Sequence, residues 1–278
     1  MISDEKLKEL KKIATQLRIT ILKMIGVGKA GHLGGAGSLV EVITTLYFQT
    51  MKIDKDNPQW VERDRFVLSK GHSVLTQYAA LNKLGYFPES EIYKVKAIDG
   101  LLQGHPDMAI PGIEAVTGSL GQGLSIGLGM ALALKLDKKD SRVYVIMGDG
   151  EMSEGQIWEA AMSSSIYKVD NLTAFIDVNK MQATGFISDV FDITKLREKW
   201  ETFGWNVLEC DGHKFEDLIK TIEETRKIKN QPSVILLHTI KGKGFGFAEN
   251  NPSFHNGILT VDQYETLLAD LESQLERI

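Results

Sequence analysis

The spacing of apolar residues predicts a helical start to the chain. Apolar positions recur every three or four residues between residues 7 and 25, which is the pattern of an amphipathic helix. A glycine-rich segment follows, and helical spacing returns in SLVEVITTLYF. The short apolar run FVL ends at Ser69-Lys70-Gly71-His72, and a further helix is predicted from there to Gly85. This part of the chain therefore predicts helices around one short buried strand.

The pattern becomes regular from residue 118 onward. A small-residue helix, GLSIGLGMALALKL, precedes the strand VYVIM, and the helix QIWEAAMSSSIY leads to the strand LTAFIDV. This crossover is too long for a hairpin, so the two strands are predicted to be parallel and covered on both faces. WNVLEC and SVILLHTI add two strands, separated by a helix from about Phe215 to Lys229, and a last helix begins near Val261. The sequence predicts a doubly wound α/β fold, with a mostly parallel sheet and helices on both faces.

Composition and charge narrow the class of protein. The 278 residues contain no internal repeat, low-complexity tract or linker, so residues 1–278 are expected to form one domain. A net charge of −5 without a basic cluster indicates no nucleic-acid partner and no attraction to acidic membranes. No apolar run reaches the roughly 18 residues of a membrane span, and the charged N-terminus does not resemble a secretion signal, so a cytoplasmic location is expected. Cys210, the only cysteine, adjoins an apolar run and is expected to be buried and unreactive.

The first chemical motif lies at the end of VYVIM. Gly148-Asp149-Gly150 follows this strand, and Asn179 follows LTAFIDV. The carboxyl ends of parallel strands meet at one edge of a sheet, where α/β proteins bind ligands. A carboxylate and an amide oxygen there suit Mg²⁺ or Ca²⁺ bound together with phosphate, and the glycines let the backbone approach a diphosphate closely. A lone Gly-Asp-Gly is more often a tight turn, but this strand context favours a binding site.

Gly-Asp-Gly followed at this spacing by an asparagine resembles the thiamine diphosphate signature. The resemblance implies that the cofactor is thiamine diphosphate and that a divalent metal, Mg²⁺ with Ca²⁺ or Mn²⁺ able to substitute, binds Asp149, the Asn179 side chain and the backbone carbonyl of Met181. One departure is visible, because the family motif often carries paired asparagines and Val178 precedes Asn179 here.

Further segments identify the chain as a member of the transketolase family along nearly its whole length. They are Ala30-Gly31-His32, RDRFVLSKGHS, QGHPD, TGSLGQG, GDGEMSEGQIWEA, DVNKMQATG and FHNG. The resemblance implies a diphosphate-binding domain and transfer of a two-carbon ketol unit from a ketose, with sugar phosphates as substrates, to an aldose. It also implies that the pyrimidine-binding and C-terminal domains are absent from this chain. A partner subunit in an α2β2 assembly would then supply them, together with the activating glutamate.

Four of the six histidines fall on family active-site positions. The resemblance assigns His32 and His255 to proton transfer around the bond that is cleaved, and His105 to the hydroxyl beside the donor carbonyl. His72 is assigned to the diphosphate side of the cofactor. Imidazoles suit these tasks because they exchange protons and hydrogen bonds near neutral pH. His213 and His238 match no family position and are expected to be structural.

Other family positions complete the predicted site. The resemblance places Glu154 at a subunit contact near the activating glutamate and Glu159 in the associated carboxylate network, although a solvated helix face would explain both. Gly118 resembles the position packed near the pyrimidine ring. The predicted cofactor-binding residues are His72, Gly118, Leu120, Gly148, Asp149, Gly150, Glu154, Asn179 and His255.

Some motifs allow other interpretations. Gly26-Val27-Gly28-Lys29-Ala30-Gly31 has the G-x-G-x-x-G form of a dehydrogenase, but it follows a helical pattern rather than a strand. A non-catalytic protein is disfavoured because the motif residues are intact. A fragment of a deoxyxylulose-phosphate synthase or of a 2-oxoacid dehydrogenase is a closer rival, against which EGQIWEA and SKGH favour transketolase. The sequence also leaves open a transketolase that acts on a sulfonated ketose.

The glycines after Lys241 predict a flexible loop near the cofactor, where Lys241 neutralises negative charge.

Overall fold

A parallel five-stranded sheet organises the structure, a computed structural model that describes residues 2–190 and 194–278. The strands are β1 (Arg65–Leu68), β2 (Val143–Gly148), β3 (Leu172–Val178), β4 (Asn206–Asp211) and β5 (Ser233–His238). Their order across the sheet is β1-β2-β3-β5-β4, and every neighbouring pair is parallel. All five coincide with the predicted apolar runs, so the predicted sheet is confirmed.

Helices cover both faces of the sheet. They are α1 (Asp4–Ile25), α2 (Leu33–Gly37), α3 (Val40–Thr45), α4 (Val74–Leu84), α5 (Gln122–Leu136), α6 (Gly155–Ile166), α7 (Leu196–Thr202), α8 (Phe215–Thr225) and α9 (Val261–Arg277). Among the described residues, no helix is long and apolar enough to cross a membrane.

Alternating strand residues feed two separate cores. On β2, Tyr144 and Ile146 join a cluster with α1, α3, α4 and α8, whereas Val143, Val145 and Met147 join a cluster with α5, α6 and α7. Successive side chains of a strand point to opposite faces, so a continuous apolar run is buried on both. The predicted doubly wound α/β fold is thereby confirmed.

Local packing alters several predicted elements. SLVEVITTLYF is not one regular helix, because α3 passes into a π-helical turn at Leu46–Thr50. The helix predicted to reach Lys229 ends at Thr225, and α7 was not predicted. Short antiparallel pairs join Ala30–Gly31 to Gly257–Ile258 and Met181–Gln182 to Gly185–Phe186. These pairs are too short to leave a period-two pattern in the sequence.

The glycine-rich segment contains a helix that the sequence did not predict. The helix α2 is buried throughout. A Cβ atom on Gly35 would lie 2.5 Å from the Ser73 hydroxyl, and one on Gly37 would lie 2.9 Å from the backbone of Gly242. Glycine here permits close contact with two loops at the carboxyl edge of the sheet, and so shapes the floor of the site.

Cys210 lies on β4 and is 8% exposed. Burial raises the pKa of its thiol to about 12. This agrees with the expected buried, unreactive cysteine.

Candidate active site

A cavity of about 180 Å³ lies at the carboxyl edge of the sheet. Its walls come from the ends of β1, β2 and β3 and from the loop that follows β5. The predicted residues that line it are His72, Leu120, Gly148, Asp149, Gly150, Asn179, Met181 and His255. Lys70, Glu151 and Lys241, which lie outside the predicted site set, line it as well.

Asp149 presents a buried carboxylate to this cavity. Its Oδ1 accepts a hydrogen bond from the Gly150 amide (2.8 Å) and its Oδ2 accepts one from the Lys180 amide (2.6 Å). The residue is only 2% exposed. Burial, with the nearby Asp177 carboxylate, raises the pKa of Asp149 to about 7. A carboxylate in this setting is stabilised by a cation bound beside it.

Asn179 is oriented by its neighbours. Its Nδ2 donates to Asp177 Oδ2 (2.8 Å), and its Oδ1 accepts from the Met181 amide (3.1 Å). The Met181 carbonyl accepts from Lys241 Nζ (3.1 Å). One carboxylate, one amide oxygen and one carbonyl therefore line a single cavity.

These donors fit a hard divalent cation that also binds phosphate. All three are oxygens, the ligand type that Mg²⁺ and Ca²⁺ prefer. In the part of the chain that the structure describes, no cluster of three His, Cys, Asp or Glu side chains could hold a metal ion. A cation here would therefore depend on further oxygens from a bound ligand, as a diphosphate provides.

Asp177 and Lys70 form a buried ion pair that sequence reasoning missed. Both are at most 2% exposed, and Lys70 Nζ donates to Asp177 Oδ2. Ser38, Thr239 and Asn179 also donate to this carboxylate. Burial opposes ionisation, but Lys70 and the hydroxyls of Ser38 and Thr239 lower the pKa of Asp177. The sequence did carry a signal for this pair. LTAFIDV places a carboxylate within an apolar strand, and a buried charge is normally paired with an opposite charge.

Glu151 is a further residue at the cavity that sequence reasoning missed. It is 1% exposed and accepts hydrogen bonds from the Ser69 hydroxyl (2.6 Å) and the amides of Gly121 (2.9 Å) and Gly148 (2.8 Å). Its carboxylate thus ties together the ends of β1 and β2 and the turn before α5. Burial raises its pKa even so.

The four predicted histidines form one cluster. The ring of His32 lies 5.3 Å from that of His72, 6.3 Å from that of His105 and 5.5 Å from that of His255. The rings of His72 and His255 are 5.1 Å apart. His105 is solvent-exposed, and its backbone carbonyl accepts from the Tyr78 hydroxyl (2.8 Å). The structure therefore groups the four rings, and the proton-transfer roles assigned to them stay predictions.

Partial burial helps to keep three of these imidazoles neutral. Together with nearby cationic groups, it lowers the pKa of His32 and His255 to about 4 and that of His72 to about 2. Lys241 Nζ lies 3.0 Å from His255 Nδ1, and burial together with Lys70 lowers the pKa of Lys241 to about 8. A neutral imidazole that accepts at Nδ1 carries its proton on Nε2 and can donate from there.

His72 should make the cofactor-free chain sensitive to acid. The unfolded chain binds a proton at this residue below about pH 6.5, whereas the folded chain does so only near pH 2. The contribution of His72 to stability is therefore complete above pH 6.5 and decreases as the pH falls. His72→Gln should reduce the slope of unfolding free energy against pH by about 1.4 kcal/mol per pH unit between about pH 4 and 6. Urea unfolding across this range measures the slope.

The exposed His238 provides the control for this experiment. Its Nε2 lies 2.8 Å from Glu209 at the surface, away from the cluster. His238→Gln should leave most of the wild-type slope in place. An unchanged slope in His72→Gln would contradict the burial of a neutral imidazole.

Glu154, Glu159 and Gly118 do not line the cavity. Both glutamates are exposed, although Glu154 Cβ would lie 2.7 Å from a Cβ placed on Gly121. A Cβ on Gly118 would lie 3.0 Å from the His105 ring. The roles of these three residues at a subunit contact or against the pyrimidine ring stay predictions.

The two remaining histidines and the glycine motif take no part in the cavity. His213 Nδ1 pairs with Glu41 at 2.9 Å, and His238 is at the surface. Gly26 directly follows α1 rather than a strand. This placement is inconsistent with a dinucleotide-binding turn, as the sequence context indicated.

The fold and the site define the class as an α/β enzyme domain that binds a diphosphate cofactor at the carboxyl edge of its sheet. The family profile described as transketolase, thiamine diphosphate binding domain, matches residues 10–272. The chain belongs to the transketolase family.

Relatives of similar length are subunits of transketolases. The chain is 41% identical over 261 residues to an apulose-4-phosphate transketolase subunit of Phocaeicola vulgatus, covering 94% of this chain and 93% of the relative. It is 44% identical over 262 residues to 6-deoxy-6-sulfo-D-fructose transketolase subunit SqwG of Clostridium sp., covering 94% and 95%.

Other transketolases are longer. The human enzyme is 36% identical over 273 residues, but the match covers 98% of this chain and only 43% of that protein. The structure of Leishmania mexicana transketolase superposes with a TM-score of 0.88 at 27% identity, covering 96% of this chain and 41% of that one. The chain thus spans less than half the length of these relatives. The predicted family, fold and enzyme class are confirmed, and thiamine diphosphate is supported as the cofactor.

Proposed function

We propose that this chain is the thiamine-diphosphate-binding subunit of a two-subunit transketolase that transfers a two-carbon ketol unit from a ketose phosphate to an aldose. One observation carries the proposal. A single cavity is lined both by the oxygen donors Asp149, Asn179 and Met181 and by the imidazoles of His72 and His255. Such a cavity can anchor a metal diphosphate while it presents neutral imidazoles to a sugar.

The proposed metal site is supported by the charges of the side chains that line the cavity. Asp149, Asn179 and the Met181 carbonyl would hold Mg²⁺, with Ca²⁺ or Mn²⁺ able to replace it. Asp149 is the carboxylate that faces these oxygens, because Lys70 neutralises Asp177 and the Glu151 carboxylate is occupied by the Ser69 hydroxyl and two backbone amides. Lys241 adds a second buried cationic group at the cavity. A site with this balance favours a divalent cation accompanied by an anionic diphosphate.

The protein residues would divide the remaining work. When bound, thiamine diphosphate supplies the electron sink for the bond that is broken. His72, kept neutral by burial, donates or accepts hydrogen bonds on the diphosphate side. His32 and His255 exchange protons with substrate hydroxyls, and His105 contacts the hydroxyl beside the donor carbonyl. Neutral imidazoles suit this because one ring can accept a proton at one nitrogen and donate from the other.

A second protein chain would complete the site. The relatives that match nearly end to end are named as subunits. Apolar side chains near α6 are solvent-exposed here, namely Met162 (50%), Ile166 (77%) and Tyr167 (60%). Glu154 is exposed at the start of the same helix. We infer that the partner, which carries the pyrimidine-binding domain and the activating glutamate, covers this face in an α2β2 assembly.

Reconstitution tests the proposed function. The chain is mixed with a partner that resembles the rest of transketolase, for which the neighbouring reading frame is the first candidate, and with thiamine diphosphate and Mg²⁺. Ketol transfer is followed by a coupled assay with a panel of ketose phosphates, and with 6-deoxy-6-sulfo-D-fructose in parallel. Activity is expected only from the mixture, and light scattering should report two copies of each chain.

Three outcomes would change the proposal. Full activity from the chain alone would refute the partner requirement. Activity with the sulfonated sugar and with none of the phosphates would correct the substrate class. A mixture that forms a complex and binds cofactor but transfers no ketol group would refute the reaction.

A further inference from the structure

A second buried charge cluster lies behind the loop that carries Lys241. Arg18 on α1 and Glu41 on α3 are 8% and 7% exposed, and His213 follows β4. None of them lines the cofactor cavity. They lie instead along a separate open cavity of about 460 Å³. The proposed mechanism uses none of these groups, yet burying them requires close pairing.

The cluster is held together by the Glu41 carboxylate. Arg18 Nη2 donates to Glu41 Oε1 (2.6 Å), and His213 Nδ1 lies 2.9 Å from Glu41 Oε2. Burial opposes ionisation of Glu41, but Arg18 and His213 lower its pKa. Each carboxylate oxygen therefore has its own partner, and Arg18 Nε and His213 Nε2 face the loop.

Both partners of Glu41 contact the backbone around Lys241. The Ile240 amide donates to His213 Nε2 (2.9 Å), and Arg18 Nε donates to the Lys243 carbonyl (3.1 Å). His213 accepts at Nε2, so its proton is on Nδ1 and is directed to Glu41. Lys241 lies between the two contacted residues in the chain.

The opposite side of this loop faces the cofactor cavity. The Gly242 amide donates to the Gly34 carbonyl (2.8 Å), and Lys241 Nζ contacts the Met181 carbonyl and His255. Gly244 has φ +83°, and a Cβ there would lie 2.2 Å from Arg18 Nε. The sequence predicts a flexible loop, whereas the structure attaches it on both sides.

We propose that Arg18, Glu41 and His213 act as positioning residues that fix the backbone of residues 240–243, and so place the Lys241 ammonium between the Met181 carbonyl and His255. The inference rests on the proposed function, in which Lys241 serves the diphosphate side of the site. The backbone sets the point from which the flexible four-carbon stem of Lys241 extends, so a displaced backbone would move the ammonium away from both of its partners.

A double-mutant cycle tests the cluster. His213→Phe keeps a ring but removes both hydrogen bonds, and His213→Gln keeps one donor and one acceptor. In the assembled enzyme, calorimetric titration of thiamine diphosphate at fixed Mg²⁺ should give about tenfold weaker binding for His213→Phe and near-wild-type binding for His213→Gln. In a Lys241→Met background, His213→Phe should have no further effect. His238→Phe is the surface control and should bind normally.

Hydrogen exchange provides a readout that needs no cofactor. In the cofactor-free chain, His213→Phe should speed amide exchange in residues 240–246 and leave β2 and β3 protected. Additive losses in the double variant would overturn the proposal, and so would exchange that is unchanged in the loop or accelerated across the whole sheet. If wild-type protein binds no thiamine diphosphate, the proposed function fails, while the exchange measurement still decides whether the cluster fixes the loop.

Discussion

Asp149→Ala is expected to abolish the metal-dependent binding of thiamine diphosphate. Asp149 supplies the one carboxylate in the predicted metal set, and Asp177 is already neutralised by Lys70. Without the Asp149 charge, a divalent cation would keep only neutral oxygens from the protein, and the diphosphate would lose its bridge to the sheet. Calorimetric titration of the assembled enzyme with cofactor, with and without Mg²⁺, measures this loss.

The folded state should survive this substitution. Because burial raises the pKa of Asp149 to about 7, its charge opposes folding of the cofactor-free chain above that pH. Removal of this charge offsets the loss of the hydrogen bonds from the Gly150 and Lys180 amides, so the melting temperature of cofactor-free Asp149→Ala at pH 8 should stay close to that of the wild type. Asn179→Ala should weaken binding less, because it removes a neutral ligand. Asp170→Ala, at a surface pair with Lys135, is the control. Wild-type affinity in Asp149→Ala would refute the metal assignment.

His255→Ala and His105→Ala are expected to lower turnover of the assembled enzyme by roughly 10²- to 10⁴-fold, the usual range for a positioned acid–base group. Both rings belong to the cluster around His32. Binding of thiamine diphosphate should remain near normal in His105→Ala, and in His255→Ala, which loses the contact with Lys241, it should weaken far less than turnover, because neither residue supplies a predicted metal ligand. Steady-state kinetics with saturating cofactor, paired with calorimetry, separates the two effects.

The surface residue His238 gives a matched control for the histidine series. His238→Ala removes an imidazole at the end of β5 and should leave turnover unchanged. If His255→Ala and His105→Ala both turn over at the wild-type rate, the cluster is structural. The proposed proton-transfer roles would then be wrong.

The sequence alone determined the sheet and the placement of the Gly-Asp-Gly motif at its carboxyl edge. LTAFIDV coincides with β3, and Gly148-Asp149-Gly150 lies where β2 ends. These predictions succeeded because a parallel strand that is buried on both faces needs a continuous apolar run, which is a local property of the chain. The side chains at the carboxyl ends of such strands then meet at one edge of the sheet, whatever the conformation of the connecting loops. The segments that resemble transketolases include the same residues.

Only the tertiary structure decided the charge states of the site residues and the contacts that hold these residues in place. The Lys70–Asp177 pair, the Glu151 contacts and the link from Glu41 to the Lys241 loop join residues that are distant in sequence. The low pKa values of His32, His72 and His255 come from burial among one another and among lysines of other elements. Burial and charge pairing depend on which segments pack together, so neither periodicity nor a motif could have given them.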